Sequence, residues 1–181
     1  MSTQPSVPGD GNRLPKGNLP HMDWYELTDE YHGQTLKFDG KLSSLSHDWQ
    51  RELASVWRLE ADVSNGTYLQ FIENWNVESY DFALQCLKHI GARKMARIIE
   101  KCHKLVLKHT DPALPDSERF RDLMSNPVIN SDGSMTTPPP SPLPDKVVQK
   151  VYALSYRFMD YPDDIAELGV AYYRPKVDAH R

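Results

Sequence analysis

The chain of 181 residues is long enough for one domain with a hydrophobic core, and its 39% hydrophobic and 25% charged residues are typical of a globular protein. The 25 acidic and 21 basic residues give a net charge of −4, which argues against general nucleic-acid binding, since that needs a basic excess. Any electrostatic function therefore depends on local clustering of charge.

The start of the chain is rich in residues that do not pack into regular elements. Residues 1–20 contain seven prolines and glycines, so 1–21 is predicted to be a disordered arm. The polar start lacks the basic and apolar regions of a secretory signal. No apolar run approaches the about 20 residues that span a bilayer. Together these features predict a cytoplasmic protein without a membrane segment.

Apolar residues at helical spacing predict the next elements. A short helix is expected near 22–32, and a longer one over 47–63, where apolar positions recur at steps of three and four. Ser46 is the expected N-cap of the longer helix. Its expected end is Asn65-Gly66, where glycine supplies a left-handed residue.

The middle of the chain predicts three more helices. A short one runs from Tyr68 to about Asn74, and a separate one covers 78–90 and ends at Gly91. The apolar stripe over 92–107 predicts a third helix, and the short connection between the last two implies an antiparallel pair.

The last third of the chain is interrupted by prolines. A short helix is expected over 117–124, and residues 126–144 read as a proline-rich, exposed connector. Helical spacing returns over 145–159. A last helix is predicted to start at Pro162 and to stop at Pro175. No strand alternation or internal repeat stands out, so the fold class is all-α, a single-domain bundle of about six or seven helices over 22–175 with a tail at 176–181.

Metal and nucleophile motifs give no catalytic constellation. Cys86 and His89 lie three residues apart on one predicted helix, whereas Cys102 and His103 are adjacent and point about 100° apart. Buried free thiols and solvated histidines, His109 included, are therefore the simpler interpretation. Nucleophile-elbow and phosphate-binding glycine motifs are absent from the sequence, and no metal or other cofactor is predicted.

Carboxylates cluster at two places in the sequence. Glu60 and Asp62 could act as an acid–base pair, but a carboxylate beside the apolar face of a helix more often accepts structural hydrogen bonds. The second cluster suits the preference of helix starts for acidic residues and is also a candidate acidic interaction surface. Its members are Asp160, Asp163, Asp164 and Glu167.

Two further groups of residues leave alternatives open. Several aromatic residues can line a ligand pocket, although at helical spacing they are more often core. They are Trp49, Trp57, Tyr68, Phe71 and Trp75. The basic residues within 88–108 raise direct nucleic-acid binding as another hypothesis, for which a solvated helix face is the simpler explanation.

Residues 60–74 read Glu-Ala-Asp-Val-Ser-Asn-Gly-Thr-Tyr-Leu-Gln-Phe-Ile-Glu-Asn. This segment resembles the Glu-x-Asp/Glu-Val-x-Asn-Gly-Gly-Phe-x-Gln-aromatic-x-x-Asn signature of a bacterial family of unassigned function, typified by the nineteen-kilodalton DNA-mimic protein. The resemblance covers roughly 45–175 and departs at Thr67, where the family has a second glycine; Gly66 alone is expected to supply the positive φ. The matched positions are Glu60, Asn65, Gly66, Tyr68, Gln70 and Asn74.

The resemblance implies an all-α fold and, for the typical member, inhibition of a DNA-binding protein by carboxylates spaced like phosphates. The matched residues suit a helix joint, in which Gln70 and Asn74 bond freed backbone groups. We therefore predict a non-enzymatic protein-binding module that regulates or neutralises a DNA-binding protein or toxin, with monomer or dimer left open. The alternative is a small-ligand binder or enzyme with a polar pocket around Glu60, Asn65 and Gln70.

Overall fold

The computed structural model describes residues 19–121, 123, 128–129, 135–136 and 141–180. The described residues form seven α-helices, a short 3-10 helix at Leu42–Ser44, and a two-residue antiparallel pair, β1 (Val128–Ile129) with β2 (Met135–Thr136). The helices are α1 (Leu19–Leu36), α2 (Asp48–Asn65), α3 (Tyr68–His89), α4 (Arg93–Leu107), α5 (Asp116–Arg119), α6 (Asp145–Met159) and α7 (Ile165–Asp178).

The predicted all-α class is confirmed, and the helix predicted over 145–159 has the bounds of α6. The predicted arm lies, up to residue 18, outside the described residues, and so does most of the connector at 126–144. Among the described helices, none has the length and apolar character needed to cross a membrane.

Helix α2 occupies the centre of the bundle. Helices α1 and α3 pack against it, while α7 packs on α1 and α6 packs on α4. The predicted inner face of α2 is confirmed, since Leu53, Val56 and Val63 are fully buried. Burial of each such side chain stabilises the fold by about 1.5–3 kcal/mol.

The predicted break between 74 and 78 is wrong, because α3 runs without interruption from Tyr68 to His89. The expected end of the short helix is near Asn74, which Trp75 follows, and asparagine side chains often compete for backbone groups. Here both side chains instead donate hydrogen bonds to Asp62 of α2. No proline or glycine interrupts the segment, so the backbone stays helical.

Gly91 ends α3 as predicted. Its φ is +80°, and the backbone N–H of Ala92 donates to the carbonyl of Leu87 at 2.8 Å, while that of Gly91 donates to Lys88 at 3.1 Å. This pair of bonds is the Schellman arrangement, in which a glycine satisfies the last helical carbonyls. It turns the chain directly into α4.

Both ends predicted for the last helix are wrong. Helix α7 starts after Asp164, whose carboxylate caps it by accepting the N–H of Glu167 at 3.0 Å. Pro175 lies inside the helix rather than ending it. Its ring leaves the carbonyl of Ala171 without the usual donor, and both residues are exposed, so water can take the donor's place.

The expected roles of two residues at the ends of α2 are also wrong. The N-cap is His47 rather than Ser46, and the Gln50 side chain accepts both backbone N–H groups at 3.0 and 3.1 Å. Gly66 has a φ of −152°, so it supplies no left-handed turn. A residue without a side chain is needed here because Gln70 packs closely against Gly66. A Cβ on Gly66 would lie 2.1 Å from the Gln70 side-chain oxygen.

Gly66→Ala is therefore expected to destabilise the protein by about 1–2 kcal/mol, because Gln70 must move away from Asp62, to which its side chain donates a hydrogen bond. Urea unfolding measures the change. Gly33→Ala is the matched control, since nothing lies within 4 Å of its added Cβ within α1. That control is expected to gain about 0.5–1 kcal/mol from helix propensity. A Gly66→Ala chain as stable as the parent would contradict the close-packing explanation.

Candidate functional site

The polar residues that follow α2 converge on one carboxylate. Asp62 accepts hydrogen bonds from Gln70 at 3.0 Å, from Asn74 at 3.1 Å and from the Trp75 indole at 2.8 Å. The expectation that Gln70 and Asn74 bond freed backbone groups is therefore wrong. From the sequence, Asp62 is a candidate only as half of an acid–base pair, although the third position of the signature is acidic. The arrangement locks the end of α2 to the first two turns of α3.

Tyr68 anchors α3 in the core. Its hydroxyl lies 2.7 Å from His103 Nδ1, and its backbone N–H donates to the Ser155 hydroxyl at 3.0 Å. His103 also stacks on Tyr80 with ring centroids 3.8 Å apart, and burial lowers the pKa of His103 to about 4. The prediction that His103 lies on a solvated face is thus wrong. Asn65, by contrast, is exposed at the end of α2.

Glu60 lies on a different side of α2 and borders a cavity of about 600 Å³. Residues of α1, of α2, of the connector from α6 to α7 and of the start of α7 line this Glu60 cavity. The carboxylate accepts the Trp24 indole N–H at 3.0 Å and the Tyr161 hydroxyl at 3.2 Å. Of the three residues expected around a polar pocket, the structure brings only Glu60 to the cavity, because Gln70 faces Asp62 and Asn65 is not among the lining residues.

Four of the residues that line the Glu60 cavity are aromatic, and none of the described residues that line it is lysine, arginine or histidine. The aromatic residues are Trp24, Tyr25, Trp57 and Tyr161. Trp57 was one of the predicted pocket aromatics, whereas Tyr68 and Phe71 are fully buried core residues. The sequence does not reveal Trp24 and Tyr161 as partners of Glu60, because they lie 36 and 101 residues from it.

Tyr161 enters the cavity from a strained backbone position. Its φ is +45°, a region that costs a residue other than glycine about 1–2 kcal/mol. The backbone N–H of Tyr161 donates to the Phe158 carbonyl at 3.0 Å at the end of α6. The bond to Glu60 and the turn after α6 together hold the ring at the cavity mouth.

The charge state of Glu60 depends on this environment. Burial raises the pKa of Glu60 to about 7, and the hydrogen bonds from Trp24 and Tyr161 oppose that rise. Glu60 and Asp62 do not form the acid–base pair considered from the sequence, since each carboxylate has its own separate donors. The protonation state of Glu60 can therefore change near neutral pH.

The Glu60→Gln variant tests this shift through the pH dependence of stability. Because the folded pKa of about 7 lies above the ordinary 4.5, the folded state favours the proton. The stabilising contribution is complete below pH 4.5 and is lost as the pH rises through about 7. We expect the variant to be close to the parent near pH 5 and more stable near pH 8, by up to about 3 kcal/mol.

Urea unfolding at several pH values measures this difference, with Glu118→Gln, at an exposed position, as the matched control. The control makes the same replacement of a carboxylate by an amide at the surface, so the comparison isolates the effect of the surroundings of Glu60. A Glu60→Gln difference that stays constant from about pH 5 to pH 8 would show that Glu60 titrates normally.

Two residues of the predicted acidic surface cap helices. Asp163 accepts the backbone N–H groups of Lys94 at 2.7 Å and Met95 at 2.9 Å, where α4 has no side-chain cap of its own. Asp164 caps α7. Asp160 and Glu167 are exposed. The sequence predicts acidic residues at the start of a helix. It does not predict that Asp163 caps α4, which lies almost 70 residues earlier in the chain.

Charge is segregated along the elements of the fold. Helix α1 carries four acidic residues and no lysine or arginine, and the segment 160–167 has the same balance. Helix α4 and the residue after it carry six basic residues against one glutamate. Because α1 packs on α7, the two acidic segments lie on neighbouring elements.

The cysteines and histidines do not assemble a reactive centre. Cys86 and Cys102 are buried and free, as predicted, and burial raises the pKa of both thiols. His89 is half-exposed, and its Nδ1 lies 3.1 Å from the Glu52 carboxylate. In the part of the chain that the structure describes, no three His, Cys, Asp or Glu side chains are placed to hold a metal ion.

Comparison with protein families gives one match, the DMP19-like protein family, over residues 43–176. The match includes the whole of α2, α3 and α4 and most of α7. No curated protein and no solved structure matches the chain. Since the matched segment is well over half of the sequence, the chain belongs to the DMP19-like family, the family of DNA mimic protein 19.

Proposed function

We propose that this chain is a non-enzymatic protein-binding module that regulates or neutralises a DNA-binding protein or toxin. Family membership supports an interaction role, and the observation that carries the proposal is the pair of neighbouring acidic segments, α1 and 160–167. DNA-binding proteins display lysine and arginine toward phosphates, so a surface of carboxylates is complementary to them. The net charge is only −4 because the basic residues of α4 offset the acidic residues of this surface.

Exposed members of the two segments are the best positions for a test. Glu26 on α1 and Glu167 on α7 are both exposed, whereas Asp23 already pairs with Arg174 at 3.4 Å. Complementary charge mainly raises the association rate and selects the partner. Charge reversal at Glu26 and Glu167 is therefore expected to weaken binding without disturbing the core.

The experiment is affinity capture from the native cell with mass spectrometry, using the parent chain and two double variants. We expect the parent to enrich a DNA-binding protein or toxin, and duplex DNA to compete for it. Glu26→Lys with Glu167→Lys is expected to reduce capture about tenfold, equivalent to about 1.4 kcal/mol. The matched control, Asp81→Lys with Glu118→Lys, makes the same charge change at exposed residues of α3 and α5.

Equal loss with both double variants would mean that only net charge matters. Enrichment of no DNA-binding protein or toxin would argue against the proposed partner class. A captured protein that duplex DNA does not displace, and that tolerates the Glu26 and Glu167 reversals, would place the interaction on another surface.

The alternative, a small-ligand binder or enzyme, has one observation in its favour, the cavity beside Glu60. Its volume falls within the range of about 300–1,000 Å³ that is typical of small-ligand sites. Asn65 and Gln70 lie elsewhere, so this alternative rests on Glu60 and the aromatic walls. Saturable binding of a small molecule that protects the parent chain against thermal unfolding, but not a Glu60→Gln chain, is its expected signature.

A further inference from the structure

We propose that the Glu60 cavity is a binding site for an organic cation, an alkylammonium or guanidinium group held between its aromatic walls and its carboxylates. This goes beyond the proposed protein-binding function and deepens the small-ligand alternative by naming the ligand class of the same cavity. Shape, charge and rigidity of the cavity each support it.

The first support is the aromatic lining. Trp24, Tyr25, Trp57 and Tyr161 all line the cavity. The face of an aromatic ring carries negative electrostatic potential and attracts a cation within about 6 Å, most strongly for tryptophan. Several aromatic residues around one space form the arrangement that recognises substituted ammonium groups. A cavity of about 600 Å³ has room for such a group together with an apolar body.

The second support is the uncompensated negative charge. The two hydrogen-bond donors to Glu60, the Trp24 indole and the Tyr161 hydroxyl, are both neutral. Among the described residues, no cation lies within ion-pair distance of Glu60. Asp163 and Asp164 also line the cavity, and one oxygen of each is already used as a helix cap. The cavity therefore disfavours an anion and is complementary to a cation.

The third support is that packing fixes two of the aromatic walls, Trp24 and Trp57, in advance. A Cβ on Gly169 of α7 would lie 2.1 Å from the Trp24 ring, so the glycine allows this ring to press against the helix. Trp57 stacks on His32 with centroids 3.8 Å apart and ring planes within 10°. A cavity whose walls are already ordered loses little conformational entropy when a ligand enters.

Cation binding is also expected to depend on pH, because a cation favours ionised Glu60. The pKa of Glu60 near 7 means that binding below this value must release a proton. The titratable groups that face Glu60 are Tyr25 of α1, Cys86 of α3, and Tyr161, Asp163 and Asp164 of the connector. Burial raises the pKa of Tyr161 to about 12, and it also raises the pKa of the Cys86 thiol, so these two groups stay neutral near pH 7.

Isothermal titration of the full chain tests the proposal with choline and agmatine as probes. Choline is compared with its neutral isostere, in which carbon replaces the ammonium nitrogen. Agmatine, a dication, is compared with a neutral isostere that has urea in place of guanidinium and a hydroxyl in place of the amine. We expect saturable binding of at least one cation, at least about tenfold tighter than its isostere. Binding is expected to strengthen between about pH 6 and pH 8, with proton release visible as a dependence on buffer ionisation enthalpy.

Two variants report on the cavity itself. Glu60→Gln removes the charge, and Tyr25→Ala removes an exposed wall residue without disturbing the core. Each is expected to weaken cation binding about tenfold. Trp49→Leu is the matched control, since Trp49 is a partly buried aromatic residue of α2 that is not among the lining residues. It is expected to leave binding unchanged.

A second arm identifies the source of the cation. A short peptide with alternating lysine and glycine that binds about tenfold more tightly than the free probes would identify a basic side chain of a protein partner. Equal or weaker peptide binding would identify a free small molecule. The proposal is overturned if neither probe binds better than its isostere, or if Glu60→Gln and Tyr25→Ala both bind like the parent.

Discussion

Replacing Arg58 by alanine is expected to reduce the free energy of unfolding by about 3–5 kcal/mol. The guanidinium is almost fully buried, and it donates to the Ser79 hydroxyl at 2.9 Å, the Thr35 hydroxyl at 2.9 Å and the Gly40 carbonyl at 2.6 Å. It also lies 4.0 Å from the centre of the Trp75 ring. Burial lowers the pKa of Arg58 to about 10, so the charge persists at neutral pH.

The loss in this variant has two sources. Removing the side chain leaves a space in the core, and it also leaves the Gly40 carbonyl and two buried hydroxyls without their donor. Arg58→Lys keeps the charge but cannot reproduce the planar fork, so we expect an intermediate loss. The guanidinium joins α2, α3 and the turn after α1. Arg58→Ala should therefore unfold less cooperatively as well as being less stable.

Urea unfolding monitored by circular dichroism measures both the stability and the cooperativity of unfolding. Arg93→Ala, at an exposed position at the start of α4, is the matched control and should change stability by no more than about 0.5 kcal/mol. A loss below about 1 kcal/mol for Arg58→Ala would mean that the core tolerates the missing guanidinium by local rearrangement.

Asp62→Ala is expected to cost about 2–4 kcal/mol, because one substitution removes the acceptor of three hydrogen bonds. Gln70 and Trp75 are only partly exposed, so their donors cannot be fully rehydrated. Asn74 is exposed and contributes less to the loss. Asp62→Asn keeps the shape of the side chain but replaces one acceptor oxygen by a donor, so we expect roughly half of the effect.

The same unfolding measurement compares Asp62→Ala with Asp81→Ala, an exposed carboxylate in the middle of α3. The control should stay within about 0.5 kcal/mol of the parent. If Asp62→Ala were equally harmless, the hydrogen bonds of Gln70, Asn74 and Trp75 would have no stabilising role, and a ligand-binding role for these residues would become the better explanation.

The sequence by itself determined the elements whose signals are local. The apolar stripe over 145–159 predicted α6 with both of its bounds, and Gly91 predicted the end of α3 through its positive φ. Helical periodicity and a glycine cap are properties of neighbouring residues, so they do not depend on the rest of the fold. The resemblance to the family also rests on a contiguous segment, residues 60–74. The family match over 43–176 confirmed this prediction.

Only the tertiary structure decided what those residues contact. Asn74 appeared to mark the end of a helix, but the carboxylate of Asp62 accepts its side-chain bond and α3 continues. Gly66 appeared to supply a left-handed turn, but its small size is needed by Gln70. In both cases a partner elsewhere in space overrides the local preference of the residue.

The Glu60 cavity is the clearest case of a feature that the sequence could not disclose. There Glu60 accepts hydrogen bonds from Trp24, which precedes it by 36 residues, and from Tyr161, which follows it by 101. Periodicity identifies the face of a helix that points inward, but not which distant side chains meet it. The packing of α1 on α2 and the strained turn at Tyr161 bring these groups together. Burial there raises the pKa of a carboxylate for which the sequence favours a structural role.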